Sequence, residues 1–208
     1  MLAASEWASE RVSEKNGYMQ CMVSEIALLW DGMTYLQRYL TAKGFESEVV
    51  AHPALLLLKH FKIAIVPAGF ADRRFSKMLG VLRACRESIE NFVQAGGTLI
   101  VSGAISEGAD AYNWLPFQLK YKHKFGYVRV ERVAEHAAAM LVERGMCMCD
   151  GYFDVVQGGE IILKGNNCPI LVASSVGSGA GEIIATTVHE FPSERFIAYY
   201  LRRSHKDF

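Results

Sequence analysis

Apolar and polar positions recur along this chain with two periods, and the order in which those periods alternate predicts the architecture. From residue 22 the pattern is regular. Met22–Trp30 closes on the run Ile-Ala-Leu-Leu-Trp and stops at Asp31-Gly32, as a buried strand entering a turn does. Met33, Leu36, Tyr39 and Leu40 follow at helical spacing, with Gly44 placed to cap the carboxyl end. Glu46–Val50 reads as a short strand, and Pro53–His60 as a brief helix with proline near its start. Ile63–Pro67 is a second apolar strand, running into Ala68-Gly69-Phe70. A long helix over 76–94 carries Met78, Leu79, Leu82, Ile89, Phe92 and Val93 on its inner stripe and ends at Gly96-Gly97. The next strand is Thr98–Ser102. Strands alternating with helices over short connections predict a parallel sheet, because parallel neighbours need crossover segments.

After Gly103 the period changes. Residues 117–133 alternate as half-exposed strands do, and Ala134–Arg144 reads as a helix. Short strands are predicted at 152–156, 160–163, 169–176 and 181–188, with turns at Gly158-Gly159 and Gly165-Asn166-Asn167. Glu194–Arg203 closes the pattern as an amphipathic helix. The expectation is a polar arm over 1–20 and a single α/β domain over 21–208. Its central sheet would be mostly parallel, with extra β-strands in the carboxyl-terminal half.

Composition narrows the function classes. The chain has 208 residues, 51% hydrophobic and 21% charged, enough to bury a sizeable core. Lys+Arg and Asp+Glu are both 22, which argues against a nucleic-acid partner. Glu25, Asp31 and Lys59 interrupt the longest apolar runs, so no membrane span is expected. The first twenty residues lack the apolar core of a signal peptide, and a cytoplasmic location is the expectation. Five cysteines at irregular spacing do not form a disulfide framework. Cys147-Met148-Cys149-Asp150 lacks a matching second pair, so no metal and no cofactor is expected. Gly177–Gly181 precedes a strand and reads as a hairpin turn, since a phosphate cradle needs a helix beyond it. The basic run over 72–86 reads as a solvated face, and Lys120, Lys122 and Lys124 as a protected sheet edge.

In open parallel sheets, ligands collect at the carboxyl ends of the strands. Those ends bring forward Asp31 with Gly32, Ala68 to Phe70, Ser102 to Ala104, and His189 with Glu190. Three of these stretches carry a resemblance. Ile-Val-Pro-Ala-Gly-Phe (65–70) resembles the strand and oxyanion-hole turn of class I glutamine amidotransferase-like domains. Phe92–Ala104 (FVQAGGTLIVSGA) is similar to the family's approach to its nucleophile elbow. Gly177–Ser193 (GSGAGEIIATTVHEFPS) resembles the closing strands that deliver its histidine. The resemblance implies a flavodoxin-like, three-layer α/β sandwich.

The departures decide the activity expected from it. Val101 stands where the family places its cysteine, and His189 is followed by Glu190 rather than by a carboxylate two residues on. The resemblance therefore implies a degenerate, non-catalytic domain that serves small-ligand binding or protein interaction, without glutaminase activity. Asp31, Gly69 and Gly103 are its candidate ligand-binding residues, although Asp31 would equally suit a turn or helix cap. The alternative is a hydrolase or amidotransferase with Ser102 as nucleophile, His189 as base and Glu190 (or Glu107) as orienting acid. The Gly69 and Gly103 amides would then be its oxyanion donors. A flavodoxin-like nucleotide or flavin binder fits less well, because Asp31-Gly32-Met33-Thr34 is no phosphate-binding run. An unidentified small molecule or protein is the expected partner, and the aromatic content leaves room for a homo-oligomer.

Overall fold

A computed structural model describes residues 24–203, apart from 107, 109, 178–180 and 190. Five strands, all but β2 fully buried, form one half of its sheet: β1 (Ile26–Leu29), β2 (Ser47–Val50), β3 (Ile63–Val66), β4 (Thr98–Val101) and β9 (Glu182–Thr186). The other half holds β5 (Gln118–Arg132), β6 (Met146–Gln157), β7 (Glu160–Gly165) and β8 (Cys168–Ser175). The nine strands lie in the order β2-β1-β3-β4-β9-β8-β7-β5-β6.

The sheet is not mostly parallel, as the strand–helix alternation predicts, but mixed. Pairings from β2 across to β9 are parallel, whereas β9–β8, β8–β7, β7–β5 and β5–β6 are antiparallel. The cause lies in the connections. The first strands are joined by helical crossovers, which return the chain to the same edge. From β6 to β9 the strands are joined by short turns, which reverse it. β8 and β9 pair antiparallel with Ser175 opposite Glu182, while residues 178–180 of the predicted glycine turn lie outside the described residues.

Thr34 caps α1 (Tyr35–Ala42), its Oγ1 accepting from the Leu36 N–H at 3.1 Å. The helix expected over 76–94 is two helices, α2 (Met78–Ala84) and α3 (Arg86–Gln94). Cys85 between them has φ −105° and ψ 19°, outside helical geometry. The helix expected over 134–144 is only a 3-10 turn, Ala137–Leu141. His136 caps its start and Val142 turns extended (φ −113°, ψ 117°) toward β6. The last helix, α4 (Glu194–Arg203), matches its predicted limits. No helix among the described residues is long and apolar enough to cross a membrane.

Successive strand residues point to opposite faces, and each face carries its own apolar cluster. Ile26 and Leu28 face Leu40 of α1 and Phe196, Ile197 and Tyr200 of α4. Ala27 and Leu29 face Leu82 of α2, Phe92 and Val93 of α3, and Trp114. Burial on both sides explains why the parallel strands read as unbroken apolar runs. Their parallel pairing brings the carboxyl ends of β1, β3, β4 and β9 to one edge.

Candidate functional site

Parallel register aligns Val66 with Val101, and Val101 with Ala185, so the residues after β3, β4 and β9 meet at that edge. Ser102 and His189 line one cavity there with Pro67, Ala68, Thr186 and Phe191; its volume is about 50 Å³. That is room for one or two waters, at roughly 30 Å³ each.

The backbone around this cavity is tied together. Val101 is buried within β4. The Ser102 N–H donates to the Val66 carbonyl at 3.0 Å, continuing the β3–β4 ladder one residue further. The Gly69 N–H donates to the Gly103 carbonyl at 2.8 Å. The Tyr112 hydroxyl donates to the Ser102 carbonyl at 3.0 Å. Gly69 adopts φ +88°, a conformation that side chains disfavour, and the Phe75 ring covers it. No helix opens after β4 among the described residues, so Ser102 does not stand on a strand-to-helix elbow. Ser102 Oγ and His189 make no hydrogen bond to each other.

His189 instead meets Asp150, which the sequence brought forward only as the end of the 147–150 run and not as a partner of the histidine. Its Nδ1 lies 2.7 Å from Asp150 Oδ1, and its ring packs edge-on against Phe125. Strand β6 reaches this edge by pairing past the end of β9. The Asp150 N–H donates to the Thr187 carbonyl at 2.8 Å, and the His189 N–H to the Met148 carbonyl at 2.9 Å. The Tyr121 hydroxyl donates to the Asp150 carbonyl at 2.9 Å and lies 3.1 Å from His123 Nδ1. With its proton given to Asp150, the Tyr121 oxygen accepts from His123 Nδ1–H.

The Asp150 side chain is 1% exposed, and its Oδ2 has no hydrogen-bond partner among the described residues. Burial raises the Asp150 carboxyl above the usual range, and the nearby His189 and His123 oppose that rise only in part. Gly103 makes room for the carboxylate, since a Cβ at Gly103 would stand 2.4 Å from Asp150 Oδ2. On the same strand Cys147 and Cys149 are buried, with sulfurs 3.7 Å apart. The hydrogen bond between the two thiols, together with burial, pushes the Cys149 thiol far up and away from a reactive thiolate.

Asp31 is engaged in holding a helix. Its Oδ1 accepts from Ser76 Oγ and its Oδ2 from the Lys77 N–H, each at 2.8 Å, just before α2. Burial works to raise its carboxyl, but these two donors outweigh it and hold the group below the usual range. The stability this gives is present above the unfolded carboxylate value and is lost as pH falls through the lowered one. Asp31→Ala is therefore expected to cost about 1 kcal/mol near neutral pH, and the cost should fade in acid. Urea unfolding at several pH values checks this; a pH-independent cost would contradict it.

The structure thus brings Ser102, Gly69, Gly103 and His189 to one edge and commits Asp31, just past β1, to the segment before α2. Glu190 and Glu107 lie outside the described residues. The signal that could have found Asp150 is an acid set among Cys147, Cys149, Gly151 and Phe153, all of them buried. Opposite it, β5 has one extra residue between His123 and Gly126, a bulge of the kind that re-aims side chains.

The fold is glutamine amidotransferase-like, a mixed α/β arrangement around one nine-stranded sheet. A solved glutamine amidotransferase is 14% identical with a TM-score of 0.58, over 86% of this chain and 98% of that one. PurLQS from Thermotoga maritima is 11% identical with a TM-score of 0.59, over 85% of this chain and 96% of that one. A β-galactosidase from Rahnella sp. R3 is 16% identical with a TM-score of 0.56, over 86% of this chain. The chain spans 30% of the length of that β-galactosidase and of one from Bacillus circulans. No protein-family model and no curated protein matches the chain.

Proposed function

We propose that this chain is a degenerate amidotransferase-like domain that docks a protein partner at its carboxyl edge and carries no glutaminase chemistry. One observation bears most of the weight. Of the two expected oxyanion donors, the Gly69 amide is bonded to the Gly103 carbonyl, and the Ser102 amide beside Gly103 is bonded to the Val66 carbonyl. Val101 at the cysteine position removes the nucleophile as well. The 50 Å³ cavity is far below the roughly 300 Å³ of ordinary ligand pockets, which disfavours a small-molecule substrate.

The rim of the same edge supports docking. Met33 and Tyr35 after β1, Phe75 after β3, Phe125 beside His189, and Phe191 after β9 are all exposed. Apolar side chains gathered around one edge are what a protein interface uses. The similar portion of two β-galactosidases is one part of a longer chain, a use of the fold that fits this reading.

Ammonia release from glutamine tests the catalytic half of the proposal. The purified protein is expected to release none above buffer, and Ser102→Ala is expected to change nothing. Release that disappears in Ser102→Ala would overturn it. The Asp150–His189 pair favours one second reading, a hydrolase in which Asp150 orients His189 and Ser102 is the nucleophile. Ester hydrolysis lost in both Ser102→Ala and Asp150→Ala would establish that reading instead.

A further inference from the structure

We infer that the outer face of α4, together with Arg132, forms a binding site for the phosphate group of a small organic phosphate. The site shares no lining residue with the cavity of Ser102 and His189. It is an open cavity of about 570 Å³ between the 132–140 segment and α4. Arg195, Tyr199 and Arg202 stand at i, i+4 and i+7, a spacing that places all three on one helix face.

Three arginines and one carboxylate, Glu135, line this cavity. Arg132 is held in place by the Ala134 carbonyl at 3.1 Å, the His136 carbonyl at 3.4 Å and Glu135 at 2.9 Å. Arg195 and Arg202 make no hydrogen bond or ion pair among the described residues. Glu182 beneath does not compete for them, because Arg203 at 2.7 Å and His136 at 2.8 Å already occupy both of its oxygens. His136 is likewise committed, with its Nδ1 accepting from the Ala138 N–H. Two guanidiniums with no partner among the described residues therefore line an open cavity in a chain whose formal net charge is +0.

Helix stability does not account for both of them. Arg202 in the last turn complements the helix dipole, but Arg195 sits in the first turn, where a cation is unfavourable. Guanidinium forks match the paired oxygens of phosphate. Tyr199 and Met140 give the cavity apolar surface that would cover the organic part of the ligand.

Calorimetric titration of the full chain with phenyl phosphate and with inorganic phosphate tests the site. Phenyl phosphate is expected to bind saturably, and the Arg195→Ala/Arg202→Ala double variant to weaken it by at least about tenfold. Arg195→Lys/Arg202→Lys should fall between the two, since it keeps charge without the fork. Arg38→Ala, a surface arginine on α1, should leave affinity unchanged, which separates a site from general cationic attraction. Both arginines are exposed, so an unaltered melting temperature is expected and confirms folding. Inorganic phosphate binding as tightly as phenyl phosphate, and equally lost in the double variant, would make free phosphate the source. No saturable binding of either probe, or binding undiminished in the double variant, would overturn the inference.

Discussion

Gly103→Ala is expected to destabilise the protein by about 3 kcal/mol, and Asp150→Ala in the same chain is expected to return most of that loss. The new methyl would stand 2.4 Å from Asp150 Oδ2, 2.9 Å from its Cβ and 3.0 Å from its Cγ. Asp150 has nowhere to retreat. Its N–H is bonded to Thr187, its carbonyl to the Tyr121 hydroxyl, and its carboxylate lies against His189. Truncating Asp150 removes the atoms the methyl would meet, so the two changes should couple strongly instead of adding. Urea unfolding of the wild type, both single variants and the double variant measures the coupling. Additive losses would mean that Gly103 is constrained by something other than the carboxylate.

His189→Ala carries the second large effect, and its size should depend on pH. Breaking a fully buried ion pair costs about 3–5 kcal/mol. The His189 side chain is 43% exposed, so solvent screening brings the expectation down to about 1–2 kcal/mol near neutral pH. The pH dependence comes from Asp150, whose folded carboxyl is raised by burial. Such a group stabilises the fold below its unfolded value, and that stability is lost as pH rises through the folded value. His189 opposes the rise and so limits the loss. Without it the carboxyl rises further, and the variant should fall progressively behind the wild type once pH climbs past the raised value that Asp150 has in the wild type. At lower pH Asp150 is protonated in both folded proteins, and only the packing against Phe125 is missing. In an Asp150→Asn background the penalty should be small at every pH. Equal penalties across pH in both backgrounds would show that His189 acts through packing alone.

Local pattern made the first half of this fold legible. Unbroken apolar runs mark β1, β3 and β4 because both faces of the sheet are covered, and the Phe196, Ile197 and Tyr200 stripe marks α4. Strand direction in the second half was not legible. Alternation along 117–133 announces a strand without saying what it pairs with, and an arm of successive antiparallel strands docks on β9. The long helix failed at Cys85, because an apolar stripe continues across a break in the backbone. The site was readable in the same proportion. Strand ends placed Ser102, Gly69 and His189 together, since parallel register forces them to one edge. Asp150 stayed hidden because its contact with His189 arises from a bulge and from pairing between residues distant in sequence. The bond between Gly69 and Gly103 was equally hidden, as two loops meeting through their backbones leave no side-chain signature.

The claim that the strand-end amides are closed to acyl transfer is tested most directly by intact-mass analysis after incubation with an electrophilic glutamine analogue, with peptide mapping of residues 101–104. An unmodified 101–104 peptide in the wild type is the result predicted. A single adduct on Ser102 that vanishes in His189→Ala would contradict it, and would mean that the Gly69 amide comes free when substrate arrives.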